Sequence, residues 1–236
     1  MPAIELALET LQRKKQALVF AASRASAEKL AEDISKQIMR VTGEDVEQQI
    51  HASIPSPTKQ CERLAKCVKK GVAFHHSGLT QKQKDIIEKE FRNGNISIIC
   101  CTPTLAMGVS LPAFRVIMNG LKRYSGSWGM DWIPVLEYLQ CAGRAGRPEF
   151  EKFGEAISIA KTDAQKEEIY ERFVLGKPEE IYSKLAVEPV LRTYLLSLIS
   201  TGMVRSEKDV MKFFAGTFWA HQFKDMEKLK VIIDKM

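Results

Sequence analysis

Five short apolar runs, separated by helical patterns, limit what this chain can fold into more than any other feature. They are Ala17-Leu18-Val19-Phe20-Ala21, Val72-Ala73-Phe74, Ile96-Ser97-Ile98-Ile99-Cys100-Cys101, Phe114-Arg115-Val116-Ile117-Met118 and Ala156-Ile157-Ser158-Ile159-Ala160. The first is uninterrupted, as in a strand buried on both faces of a parallel sheet. Between the runs the apolar period changes to that of a helix. A short amphipathic helix spans 4–13. A longer one starts at Ser23 to Ser26 and reaches about Arg40, with Ala27, Leu30, Ala31, Ile34 and Ile38 on one stripe. Residues 59–70 form a helix with a solvated basic face. Another runs from Thr80 to about Asn93, opened by a capping box in which Gln83 lies three residues after Thr80. A last one covers 133 to about 142, and Gly43 to Pro57 reads as irregular. Strands alternating with helices predict an α/β fold, a parallel sheet with helices on both faces. Ligands of such sheets bind at the carboxyl ends of the strands, which draws attention to loops 21–26, 75–80, 102–112 and 140–148.

After Thr162 the strands stop. Asp163 to Leu175 reads as a helix broken by Gly176-Lys177-Pro178, followed by helices at about 179–186, 187–200, 206–214 and from 217 onward, with a tight turn at Thr201-Gly202. Short helices around a Gly turn suit a small winged-helix-type unit. The expected organisation is a sheet domain over 1–162, a linker helix over 163–178 and a small all-α domain over 179–236, truncated before any β-wing.

Charge matters because it bears on the partner. The chain carries a formal net charge of +6, with 22 Lys+Arg against 17 Asp+Glu in residues 1–160 and 13 against 12 thereafter. That permits a polyanion without demanding one. The five cysteines have no zinc spacing, and Cys100 and Cys101 read as core, so no metal site and a reducing compartment are expected. No segment offers the ~20 apolar residues of a membrane span, and the first residues lack the pattern of a signal peptide. A cytoplasmic protein is the expectation.

Three stretches carry chemistry. In Gln140-Cys141-Ala142-Gly143-Arg144-Ala145-Gly146-Arg147-Pro148 two arginines three positions apart share a helical face, with glycines that let an anion approach the backbone. Permanently charged, fork-shaped side chains suit a transferring phosphoryl group; an exposed basic turn is the plainer alternative. Thr102-Pro103-Thr104 through Gly108, Ser110 and Pro112 leaves a buried strand with hydroxyls able to meet phosphate oxygens or merely to cap a helix. Leu121 to Trp132 places Ser125-Gly126-Ser127 between aromatic arms, a hairpin signal. His75 and His76 point to opposite sides with no acidic cluster in view, which favours a positional role. Trp219, His221 and Phe223 read as packing residues.

Taken together, Phe20 to Arg24, the Phe74-His75-His76-Ser77-Gly78-Leu79 turn, Thr102 to Pro112 and Gln140 to Pro148 resemble, in order, the motifs of the second RecA-like lobe of superfamily-two helicases. The H-H-S-G-L turn, T-P-T-L-A-M-G-V-S-L-P and Q-x-x-G-R-A-G-R-P are similar to the Ski-two-like branch, and within it to the archaeal stalled-fork repair helicases, relatives of the polymerase-theta helicase domain. The resemblance continues through Lys184 to Pro189 and Phe213 to Phe218. It implies a RecA-like sheet and an ATP-dependent 3′ to 5′ DNA helicase. Arg147 would be the arginine finger, with Arg144 beside it and Gln140 coupling the contact. Gly108 and Ser110 would approach ATP, although the family usually has Asn or Asp where Ser110 stands. Thr102, Ser23, Arg24, Ser77 and Gly78 would touch the tracking strand. Tyr124, Trp128 and Met130 would form the strand-separating hairpin, with Lys122 and Arg123 on phosphates.

The chain contains no G-x-x-x-x-G-K-[ST] phosphate loop and no D-E-x-H motif. In the resembled family these lie on the first RecA-like lobe, which would hold most of ATP and Mg²⁺. The sequence therefore reads as a fragment, inactive as an ATPase alone, that partners the first lobe and single-stranded or forked DNA. An RNA helicase of the same branch and a non-catalytic nucleic-acid-binding module are the alternatives.

Overall fold

The structure, a computed structural model, describes residues 2–233 apart from 40, 42, 109–110, 125–128, 147–152, 186, 225–226, 228–229 and 232, and describes only the backbone of 107, 108 and 188. Ser110, Trp128 and Arg147 thus lie outside the described residues. The chain divides into two compact units, Met1–Glu179 and Glu180–Met236.

The first unit is built on a five-stranded parallel sheet of order β2-β3-β1-β4-β7. Its strands are β1 (Ala17–Phe20), β2 (Val72–His75), β3 (Ile98–Cys101), β4 (Arg115–Met118) and β7 (Glu155–Ser158). Flanking helices are α1 (Pro2–Gln12), α2 (Arg24–Lys36), α3 (Glu44–His51), α4 (Lys59–Val68), α5 (Gln81–Arg92), α6 (Thr104–Gly108), α7 (Val135–Ala142) and α8 (Asp163–Ile169). β1 to β4 are buried throughout, and β7, at the sheet edge, is only partly so. This is the doubly covered parallel arrangement that the alternation predicts. Leu18, Phe20, Ile34, Phe74, Ile87, Phe91 and Ile98 are among the side chains almost wholly removed from water, each worth about 1.5–3 kcal/mol. Arg115 interrupts this apolar strand set yet is satisfied. It donates to Glu155, Glu9, the Thr10 hydroxyl and the Leu6 carbonyl, tying α1 to the sheet.

Local chemistry explains the element ends. Ser23, Thr58, Thr80 and Thr162 cap α2, α4, α5 and α8 through their hydroxyls, and the capping box of α5 is complete. Two expectations are corrected. Residues 44–51 are helical, because Val46 and Ile50 form an i, i+4 buried pair and Glu44, Asp45 and Glu47 favour the helix N-terminus. Residues 180–185 are not helical. There the Gln222 side chain accepts from the Ser183 N–H at 2.9 Å and donates to the Ile181 carbonyl at 2.9 Å, replacing helical hydrogen bonds. The helix expected to reach 175 ends in a π turn, Tyr170–Val174, with Leu175 N–H bonded to the Tyr170 carbonyl.

The second unit holds α9 (Glu188–Ser200), α10 (Glu207–Ala215) and α11 (Phe218–Phe223). Its core is Leu191, Leu198, Val204, Val210, Phe214 and Trp219. Gly202 takes φ +70° in the turn between α9 and α10, a conformation that favours glycine. Trp219 is buried as expected, and Phe223 packs on it at 5.5 Å while staying exposed.

Candidate functional site

The order of the sheet sends the chain away from β1 on one side and returns it on the other, so the loops after β1, β3 and β4 meet at the carboxyl edge. A cleft of about 200 Å³ opens there, lined by Ala22, Thr102, Pro103, Thr104, Gly120, Arg123, Ile133 and Glu137. The Thr102 and Thr104 hydroxyls are 2.8 Å apart. Ser23 caps α2 and shares its hydroxyl with Ser26 at 2.8 Å, and Arg24 stands exposed on the first turn.

The 76–79 turn is fixed from below. His76, fully buried, accepts at Nδ1 from the Gly78 N–H and donates at Nε2 to Glu28 at 3.0 Å. A Cβ on Gly78 would meet the His76 ring at 3.0 Å and the Arg24 side chain at 3.7 Å. Glu28 is in turn held by Gln60 and Arg63. Burial works against its charge, but Gln60 and Arg63 outweigh burial and its pKa lies below the ordinary value. His75, on the other side, sits 3.1 Å from Glu88. Burial pushes His75 down to about 4, so its ring is neutral near pH 7, and pushes the Glu88 carboxyl above its ordinary value. Each histidine has a single carboxylate beside it, 13 and 48 residues away in sequence, which the sequence did not reveal. Their opposite orientation is as expected.

The arginine turn follows α7. Gly143 ends the helix, its N–H bonded to the Leu139 carbonyl at 2.8 Å. Backbone bonds then lash the turn to the loop before β4: Ala113 N–H to the Arg144 carbonyl at 2.9 Å, and Gly146 N–H to the Ala113 carbonyl at 2.7 Å. Gly146 has φ +94°, and a Cβ on Gly154 would fall 2.1 Å from the Gly146 nitrogen, so the backbones touch directly. Arg144, half-buried, donates to the Ala106 carbonyl of α6. No carboxylate pairs with it among the described residues, which leaves most of its five N–H donors unspent on acids. Gln140 is exposed on the last turn of α7, and Gly108 closes α6.

The hairpin implied by Ser125-Gly126-Ser127 is present as β5 (Lys122–Tyr124) and β6 (Met130–Trp132), antiparallel, with Tyr124 opposite Met130. Both of these side chains are exposed, at 73% and 63%. Lys122 lies 4.2 Å over the Trp132 ring, and Arg123 bonds both oxygens of Glu137, at 3.0 and 2.8 Å. Thr102 and Arg123 therefore share one cleft, and Arg144 is bound to the helix that leaves it. Glu137 and Glu28 carried no sequence signal, because their partners are distant in the chain. Among the described residues no three His, Cys, Asp or Glu side chains converge as a metal site would require, and no helix is long and apolar enough to cross a membrane.

Known proteins resemble the chain over most of its length. The chain is 41% identical over 94% of its length to the ATP-dependent DNA helicase Hel308 of Methanocella arvoryzae, of which it covers 30%. It is 37% identical over 98% of its length to the protein of the same name from Methanococcus vannielii, covering 31% of it. The Pyrococcus horikoshii protein of that name is 39% identical over 94% of the chain, with 31% covered. The chain thus spans about a third of the length of these curated relatives. The helicase conserved C-terminal domain matches residues 2–149. With its sheet, edge loops and arginine turn in that order, the chain belongs to the helicase conserved C-terminal domain family, in the Ski-two-like branch of superfamily two.

Proposed function

We propose that this chain is the second motor lobe, with the helical unit after it, of an ATP-dependent 3′ to 5′ DNA helicase that acts on forked or stalled replication DNA in repair. The observation that carries the reading is the arginine turn at the end of α7, bonded by its backbone to the loop before β4 and through Arg144 to α6. A guanidinium so placed, with no described carboxylate to neutralise it, suits a phosphate presented from outside the lobe. Arg144 and Arg147 would face the γ-phosphate, with Gln140 coupling the contact and Gly108 and Ser110 beside the nucleotide. ATP supplies the free energy of phosphoryl transfer, and a first RecA-like lobe would hold its phosphates and Mg²⁺. Without that lobe the chain is expected not to hydrolyse ATP.

The strand would cross the neighbouring cleft. Thr102, Ser23, Arg24, Ser77 and Gly78 would meet sugar and phosphate, contacts that grip without reading sequence. Tyr124 and Met130, exposed on the hairpin, would part the first base pair together with Trp128, with Lys122 and Arg123 close to phosphates. The test is Arg147→Ala in the full-length protein. Turnover is expected to fall by roughly 10³–10⁵ while ATP binding is kept, the contribution of an arginine finger. Wild-type turnover in that variant would overturn the reading. Unwinding of RNA forks in preference to DNA forks would assign an RNA substrate, and DNA binding with no ATP turnover by the full-length protein would assign a non-catalytic module.

A further inference from the structure

The β5–β6 hairpin has three residues in each strand, too little to hold its own orientation in water. Its direction is set by what its base is tied to. Ile133 N–H closes the base on the Leu121 carbonyl at 2.8 Å. Trp132 donates from its indole N–H to Glu168 at 2.7 Å and packs edge-on against Phe173 of the π turn. The remaining tie is different in kind. Arg123, from the middle of β5, reaches the first turn of α7, where the Glu137 side chain is only 7% exposed. A carboxylate that buried is strongly unfavourable without a partner, so the pair is not optional.

From this ion pair α7 runs to the arginine turn over residues 137–142, about 9 Å of continuous helix. One end carries the hairpin through Glu137; the other carries Arg144, tied to α6 and the strand loop. We propose that Glu137 is a positioning residue that makes α7 a rigid strut, so that a displacement of the arginine turn is delivered to the hairpin. This rests on the motor reading above and assigns a transmission element to it. Glu137 lines the cleft beside Thr102 with both carboxylate oxygens held by Arg123, and it acts through that arginine.

The experiment uses the full-length protein carrying Glu137→Gln, which keeps the shape and removes the charge. Two quantities are read: ATP turnover stimulated by single-stranded DNA, and base pairs opened per ATP on a forked duplex. Turnover is expected to stay within about twofold of wild type, while base pairs opened per ATP fall about tenfold, the scale of one lost charge-assisted hydrogen bond. Glu137→Asp, which keeps the charge on a shorter stem, is expected to fall in between and serves if the first variant does not fold. Unwinding per ATP at the wild-type level in both variants overturns the proposal. So does a parallel loss of turnover and unwinding, which would make the pair merely structural. A wild-type protein that hydrolyses ATP without opening duplex would refute the motor reading itself, and this inference with it.

Discussion

At the scale of single residues, buried charges and hydrogen bonds decide how the site loops are held. His75 and His76 are adjacent, yet one faces Glu88 and the other Glu28, so the two rings pin the turn to α5 and α2. Both pKa values are lowered, chiefly by burial, His75 to about 4. A base whose folded pKa is depressed leaves the unfolded chain to bind the proton first. Stability is therefore undiminished above pH ~6.5 and falls as pH drops from ~6.5 towards 4. For His75 alone the loss is up to about 3 kcal/mol, offset in part by Glu88, whose raised pKa acts in the opposite sense. Urea melts at pH 7.5 and 4.5 should show this drop, and His75→Phe should make it smaller. An equal drop in the variant would show that the ring is not the titrating group. Nδ1 of His75 has no hydrogen-bond partner among the described residues, but the variant also loses the Nε2 contact to Glu88, which lowers stability at both pH values, so the readout is the difference between them. None of this was legible in the sequence, where the pair showed only its alternating direction.

Elements with a local cause were legible. The capping box of α5, the buried runs of β1 and β3 and the turn at Gly202 follow from residues that are neighbours in the chain. Those whose cause is distant were not. α7 begins after Pro134, which offers no side-chain cap. Its first N–H groups go instead to Glu179, 2.7 Å from Val135 N and 3.1 Å from Leu136 N. These backbone bonds, that from Val135 foremost, hold the Glu179 carboxyl below its ordinary pKa. A capping acid more than forty residues downstream cannot be read from a window of sequence. Glu179→Ala should cost about 1 kcal/mol in thermal or urea unfolding, the value of an N-cap, with Glu179→Gln recovering part of it. No change in either would mean that water replaces the carboxylate without penalty. The absent helix at 180–185 has the same kind of origin, since Gln222 supplies the hydrogen bonds that local propensity assigned to a helical turn.

At the scale of the whole molecule the two units differ in how much holds them. The first encloses the long cluster around the sheet, whereas the second rests, among the described residues, on six buried side chains. Trp219 is the largest of the six, and Trp219→Ala should remove about 3–5 kcal/mol, enough to melt a unit of that size. Amide exchange should then show loss of protection in 188–223 with protection in β1 and β3 retained. Uniform loss across both units would show that they unfold as one. The family motifs were readable from sequence because each is a run of neighbouring residues, three of them at the ends of strands that the apolar pattern marks and the last at the end of α7. The connections behind them, Arg123 to Glu137 and Arg144 to Ala106, were not, because only folding brings those loops together.

The central strand has a further consequence for biosynthesis. Ala17–Phe20 leaves the ribosome well before its neighbours on either side, Ile98–Cys101 and Arg115–Met118. At ~5–20 residues per second the nascent chain waits on the order of 5–20 s with both edges of its most apolar segment bare. Chaperone occupancy on the growing polypeptide should therefore be densest in that interval and end when the second neighbour emerges, because an uncovered strand edge is where one nascent chain sticks to another.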